Sequence, residues 1–158
     1  MIKFDNLQKV LAEFGNALSE RYKEKLTEDD RIASGRLISS VNSKVVVDNN
    51  EFVVELSLED WWKYIEYGTK PHFPPVSKIL EWVNVKRILP TPMANGKLPT
   101  EKQLAWMIAK KIERVGTEGT PNLSDSLDEM VMEYETKIEE ALDQDVLGCL
   151  DELLLMFA

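Results

Sequence analysis

A chain of 158 residues, 44% hydrophobic and 30% charged, is large enough to bury the core of one ordinary domain, and its composition argues against wholesale disorder. The net charge of −9 sits at one end: 12 of the 28 acidic residues but only one basic residue, Lys137, lie from Glu118 onward, leaving 16 acids and 18 bases before it. That tail would repel a phosphate backbone, and the most apolar stretch, LGCLDELLLMF, is too short and too interrupted by Asp151 and Glu152 to cross a bilayer.

Residues 5–28 are expected to form an amphipathic helix, because Leu7, Val10, Leu11, Phe14, Leu18, Tyr22 and Leu26 recur at steps of three and four. ASGRLISSV then reads either as a short helix or as the lead into a strand, with Gly35 weakening both. KVVVDNNEFVVELSL has the pattern of a β-hairpin, in which Val45 to Val47 enter a turn at Asp48, Asn49 and Asn50 and Phe52 to Leu56 return. Phe52, Val54, Leu56 and Leu58 share one face of the second strand. A lone hairpin is marginal in water, so it needs a helix across its apolar face or strands from elsewhere.

Ser57 and Asp60 have capping-box spacing, which predicts a helix through LEDWWKYIEY to Gly68, closed there by a left-handed glycine and kept closed by Pro71. Pro74 and Pro75 open the next helix, VSKILEWVNVKRI, with Val76, Ile79, Leu80 and Val83 as its buried stripe. LPTPMANGKLP has the chemistry of a protruding loop or small hairpin. Thr100 with Gln103 caps a further helix that closes at Gly116, and after GTEGTPNL either Asn122 or Ser124 caps the last one. Its apolar positions are Leu127, Met130, Val131, Tyr134, Ile138, Leu142, Val146, Leu150 and Leu153. Unbroken, it would be about 50 Å long, so part of it must pack on another chain, bend near Gly148 or stay exposed. KYIEYGT and KIERVGT both end a helix in Gly-Thr, which reads as one capping solution used twice.

Few side chains offer chemistry. His72, the only histidine, is wedged between Pro71 and Phe73, a poor setting for a catalytic base, and no catalytic residue is assigned. One histidine and one cysteine, Cys149, do not make a zinc ligand set, and neither GxxxxGK[ST] nor GxGxxG after a strand is present, so no metal and no cofactor are expected. The single cysteine and an N-terminus, MIKFDNLQKV, without the pattern of a signal peptide point to a reducing cytoplasm. The aromatics of WWKYIEYGTKPHFPP could stack on bases, but Lys63 and Lys70 are outnumbered by Glu59, Asp60 and Glu66. On a helical wheel Trp61 and Tyr64 nearly share a face with Ile65, while Trp62 points elsewhere, toward a neighbouring element or a partner.

Taken in order, these features resemble the head-tail joining family of tailed bacteriophages, the small neck and tail-completion proteins. The resemblance rests on an aromatic-rich helix ending in Glu66-Tyr67-Gly68-Thr69, a turn containing Pro71, His72, Pro74 and Pro75, the following ILEWV helix, and a second glycine loop, GTEGT with Pro121. It covers most of residues 5–135, while the acidic extension and the apolar C-terminus depart from the compact pattern. It implies a non-enzymatic virion protein forming a homo-oligomeric ring at the head-tail junction, in host cytoplasm during assembly, beside portal, connector or tail proteins. Genomic DNA would pass through the bore without specific binding, and no membrane is involved. The alternatives are a soluble protein–protein interaction adaptor or, less favoured, a single-stranded nucleic-acid binding module.

The expected fold is α+β: a small antiparallel hairpin packed against the N-terminal helix and further helices, with a long acidic C-terminal helix. The expected division is a 1–121 domain and a 122–158 helix packed on the body or on a neighbouring subunit. The expected partner surface comprises Trp62, Tyr64 and Tyr67 of the aromatic helix, the Gly68-Thr69 turn, and Pro71, His72, Phe73, Pro74 and Pro75. Val45, Val47, Phe52 and Val54 of the hairpin form a second expected interface.

Overall fold

The apolar spacing of the N-terminus produces α1 (Asp5–Glu28), with Leu7, Phe14, Leu18, Tyr22 and Leu26 buried and Val10 and Leu11 half-buried. The computed structural model describes residues 3–49 and 51–157, and among them six helices and one two-stranded antiparallel sheet form an α+β chain, 63% helical and 10% strand. The packing divides into two units, Met1–Asp29 with Ser40–Leu58 and Asn122–Ala158, and Asp30–Ser39 with Glu59–Pro121. The expected 1–121 domain is thus shared between two units, while the last helix starts at Asn122 and packs lengthwise on α1, on the body of the chain as one of the two expected arrangements had it.

In the first unit β1 (Asn42–Asp48) and β2 (Glu51–Ser57) pair in register from Asn42 opposite Ser57 to Asp48 opposite Glu51. Asn50 of the expected turn lies outside the described residues; Asn49 takes a positive φ of 46°. The alternating face of β2 lies on α1, where Val54 and Leu56 join Phe14, Leu18 and Met130, and Phe52 meets Phe4 edge-on at 5.8 Å. Gly15 makes this approach possible, since a Cβ there would stand 3.0 Å from both Ser43 Oγ and Val54 Cγ1.

The last helix, α6 (Asn122–Phe157), runs antiparallel to α1: Asn6 meets Asp145, Phe14 meets Tyr134 at 5.7 Å, and Arg21 meets Glu129. Its contact line keeps Met130, Tyr134 and Ile138 of the expected apolar stripe but not the rest of it. The buried positions are Asn122, Ser126 and Met130, then Ala141 and Asp145, four apart within each set and, Met130 excepted, small or polar side chains that let the helices approach closely; Leu127, Val131, Leu142 and Val146 are left 40–47% exposed. The Asp145 carboxylate serves the start of α1. That helix begins after Phe4 without a side-chain cap of its own, and the carboxylate accepts from the backbone N–H of Leu7 at 2.8 Å and of Asn6 at 3.2 Å. One helix thus caps another, placing a negative charge at an N-terminus.

In the second unit α2 (Arg36–Ser40) follows Gly35, so ASGRLISSV is a single turn of helix leading into β1. The expected capping box at Ser57 is not formed: Ser57 is consumed by the ladder opposite Asn42, and α3 (Trp62–Tyr67) starts five residues later without a side-chain cap. With Trp61 outside so short a helix, the predicted face of Trp61 and Tyr64 is not realised; both tryptophans are half-buried and Tyr64 is exposed. The next helix, α4 (Val76–Lys86), begins behind Pro75, whose carbonyl accepts from the Lys78 N–H at 3.0 Å, and ends two residues sooner than expected because Arg87 adopts the left-handed conformation. Its Val83 is buried in the packing with α5 (Glu101–Val115), where Ala105 and Ala109 are fully covered. The Thr100–Gln103 capping box is complete, with bonds of 3.3 and 2.9 Å.

Candidate functional site

The two Gly-Thr helix ends, similar to each other in sequence, meet in space. Gly68 closes α3 at φ 69°, ψ −165°, and Gly116 closes α5 at φ 71°, ψ −158°. The expected positive φ is present, but the ψ values place both in the extended mirror region open essentially to glycine alone, rather than in the left-handed helical region. This conformation turns each following threonine outward into an isolated antiparallel bridge. Thr69 N–H donates to the Thr117 carbonyl at 3.0 Å, Thr117 N–H donates to the Thr69 carbonyl at 3.1 Å, and the two hydroxyls are 2.9 Å apart.

Closeness demands glycine as firmly as backbone conformation does. A Cβ on Gly68 would stand 2.1 Å from the Thr117 carbonyl oxygen, and one on Gly116 would stand 2.0 Å from that of Thr69. Gly119 is the third member, its hypothetical Cβ 2.5 Å from the Glu66 carbonyl oxygen and 2.6 Å from the Gly68 nitrogen. Around this clasp the Thr120 N–H donates to the Ile65 carbonyl at 2.8 Å and the His72 N–H donates to the Ile112 carbonyl at 3.4 Å. The turn from Thr69 to Pro75 is thereby fastened to α5.

The expected partner residues fall on several parts of this clasp. Gly68 and Thr69 are its structural centre, half-buried, and Glu66 beneath them is 3% exposed. Pro74 is buried, whereas Pro71, His72, Phe73 and Pro75 are exposed. His72 Nδ1 lies 2.9 Å from the Lys70 carbonyl, an acceptor, so Nδ1 carries the proton and the imidazole is held against its own turn. Lys110 Nζ sits 5.3 Å from the Phe73 ring centroid and 5.6 Å from that of Trp106, a cation between two aromatic faces. Tyr67, 72% exposed, tilts against Trp62 at 6.1 Å, and Tyr64 is also open to solvent. Of the hairpin positions, Val45, Phe52 and Val54 are half-buried and Val47 is half exposed; the contacts of Phe52 and Val54 described above are made within the chain. What the hairpin presents beyond itself is its two outer strand edges, unpaired among the described residues.

Two hollows adjoin the clasp and share Ile79, Ile112 and Thr117. One, about 690 Å³, is walled by Tyr64 and the Gly68–His72 turn; the other, about 760 Å³, is an apolar groove between α4 and α5 with Arg31 and Lys111 at its lining. No group of three or more histidine, cysteine, aspartate or glutamate side chains that could hold a metal forms among the described residues.

The end of α6, expected to pack on another chain, bend near Gly148 or stay exposed, is unbroken and exposed, though none of its residues is among the expected partner contacts. Beyond the Asp145 contact the helix continues for residues 146–157, about 18 Å, through Gly148 without interruption. There Leu147, Leu154, Leu155, Met156 and Phe157 are 61–88% exposed. The signal is present in LGCLDELLLMF, whose length and charges exclude a membrane span but leave open what its leucines meet; no helix among the described residues is long and apolar enough to cross a membrane. No family model, curated protein or solved structure matches the chain.

Proposed function

We propose that this chain is a non-enzymatic structural subunit that assembles with copies of itself and with neighbouring proteins, in the manner of a neck or tail-completion protein at the head-tail junction of a tailed phage. The observation that carries the reading is the apolar end of α6, a run of large side chains left in water beyond the start of α1. Soluble chains rarely retain such a patch unless another surface covers it. The Gly68–Thr117 clasp supports it from a second side. Prolines and a bridge of backbone hydrogen bonds hold the Thr69–Pro75 turn in one shape, so exposed Phe73 and His72 lose little conformational entropy on docking. The sequence resemblance suggests the location: of its motif positions Glu66, Gly68, Thr69, Pro71, His72, Pro74 and Pro75, those from Thr69 onward lie on this fastened turn, and Glu66 and Gly68 end the helix before it.

In this mechanism no bond is made or broken. The subunit contributes a rigid knuckle, two free strand edges and an apolar helix end, and a closed ring covers them by repetition. Deleting the coding sequence from the phage genome that carries it tests the role. Filled heads and free tails that fail to join are the expected products; infectious joined particles made without the chain would refute the proposal.

A further inference from the structure

We propose that the C-terminal end of α6 from one copy docks in the α4–α5 groove of the next, joining copies head to tail; this deepens the ring reading above and rests on it. Taking about 150–200 Å² for each large apolar residue, the exposed fractions over residues 146–157 amount to roughly 900 Å². Spread around the helix, that total exceeds the ~300–600 Å² patch of a typical monomer; the one face laid in a groove, Val146, Leu150, Leu153 and Phe157, supplies roughly 400 Å² of it, about half the ~800 Å² per partner of a stable interface. Val146, Leu150, Leu153 and Phe157 recur at steps of four, three and four, the anchor spacing of a helix laid in a groove.

Charge selects the occupant. Asp143 precedes this apolar end and Asp151 and Glu152 lie within it, and the rest of α6 is acidic, with Lys137 its only basic residue. Two copies pairing through the same helix would set these acids against one another. The groove is the complement: its walls are Ile79, Trp82, Ile112 and Val115, and its charged lining residues are Arg31, Lys111 and Glu118, net positive. Trp82 and Val115 are 40% and 56% exposed, so the apolar wall is open to a visitor. Because the helix end and the groove are different patches of one chain, the contact is heterologous and repeats from copy to copy, closing into a ring where the rotation permits.

The test is sedimentation velocity of the full chain over a dilution series. The wild type is compared with a tail variant (Leu150→Asp, Leu154→Asp) and a groove variant (Val115→Asp, Lys111→Glu), all at exposed positions, with circular dichroism confirming that both fold. The wild type is expected to associate with rising concentration, and each variant to lose at least about tenfold in association constant. An equimolar mixture of the two variants is expected to recover association but to stop at a dimer, since only one intact tail and one intact groove remain. A further chain with Arg31→Glu and Lys111→Glu is expected to recover association when Asp151→Lys and Glu152→Lys are added.

Wild-type association by a groove variant would overturn the proposal, as would a mixture no better than its components, or a monomeric wild type whose tail is seated in its own groove. Rings in the particle built by a groove variant would remove this docking and leave the ring reading intact. Conversely, complementation in a chain that is absent from particles would keep the docking and remove the phage role.

Discussion

Replacing Gly68 with alanine is the sharpest perturbation of the clasp. The new Cβ would stand 2.1 Å from the Thr117 carbonyl oxygen, a distance no backbone tolerates, so the bridge must open. Losing two backbone hydrogen bonds removes about 2 kcal/mol, and holding a residue with a side chain at φ 69°, ψ −165° adds about 1–3 kcal/mol. With a urea slope of about 2 kcal/mol/M, a total near 4 kcal/mol moves the midpoint down by about 2 M. All four tryptophans, Trp61, Trp62, Trp82 and Trp106, lie in the second unit, so their emission reports the region carrying the substitution. Two other glycines separate crowding from strain. Gly35 also has a positive φ, 76°, but open space around it, so alanine there should cost only about 1 kcal/mol. Gly148 is mid-helix with nothing within 4 Å, and alanine there should stabilise by about 0.5–1 kcal/mol. A Gly68→Ala chain with the wild-type emission midpoint would refute the reasoning.

Asp145→Ala should destabilise the first unit by about 1–2 kcal/mol in denaturation followed by far-UV circular dichroism, because it uncaps α1; an unchanged midpoint would mean the Asn6 and Leu7 N–H groups find other acceptors. The Glu129 carboxyl is held at about 2, against its ordinary 4.5, by hydrogen bonds from Arg21 and then Lys25. A carboxyl lowered in the folded state contributes stability that is complete above 4.5 and is lost as pH falls toward 2. The gap in melting temperature between wild type and Glu129→Gln should therefore be flat near neutrality, close across that acid window, and shrink with salt; a gap independent of pH would exclude the ion-pair origin. Thr69→Val and Thr117→Val should be non-additive by about 0.5–1 kcal/mol in a double-mutant cycle, since the two hydroxyls bond each other; additive losses would mean each is satisfied elsewhere.

What was legible in sequence was local. The bounds of α1, the hairpin and its face, the Thr100–Gln103 box and the positive φ of Gly68 follow from spacing and residue chemistry within a few positions. Ser57 shows the limit: its capping-box spacing competed with a strand whose partner, Asn42, lies outside any local window, and the ladder won. The seam of α6 was legible at Met130 and Tyr134 but escaped at Ser126, Ala141 and Asp145, which carry no hydrophobic signal, although small and polar side chains are what permit close helix approach and a cap. The Gly68–Gly116 clasp was visible only as two similar heptapeptides. That they bond each other is a fact of tertiary structure, set by two helices ending at one place.

The central claim is that this chain is one repeated part of a collar whose neighbours cover the α6 end and grip the Thr69–Pro75 turn. Cryo-electron microscopy of the tailed particles addresses it most directly. The account predicts a closed ring at the head-tail junction into which both packing units fit, with residues 146–157 of each copy covered by protein. Particles whose neck is filled by other chains, or a ring that leaves those residues bare, would contradict it.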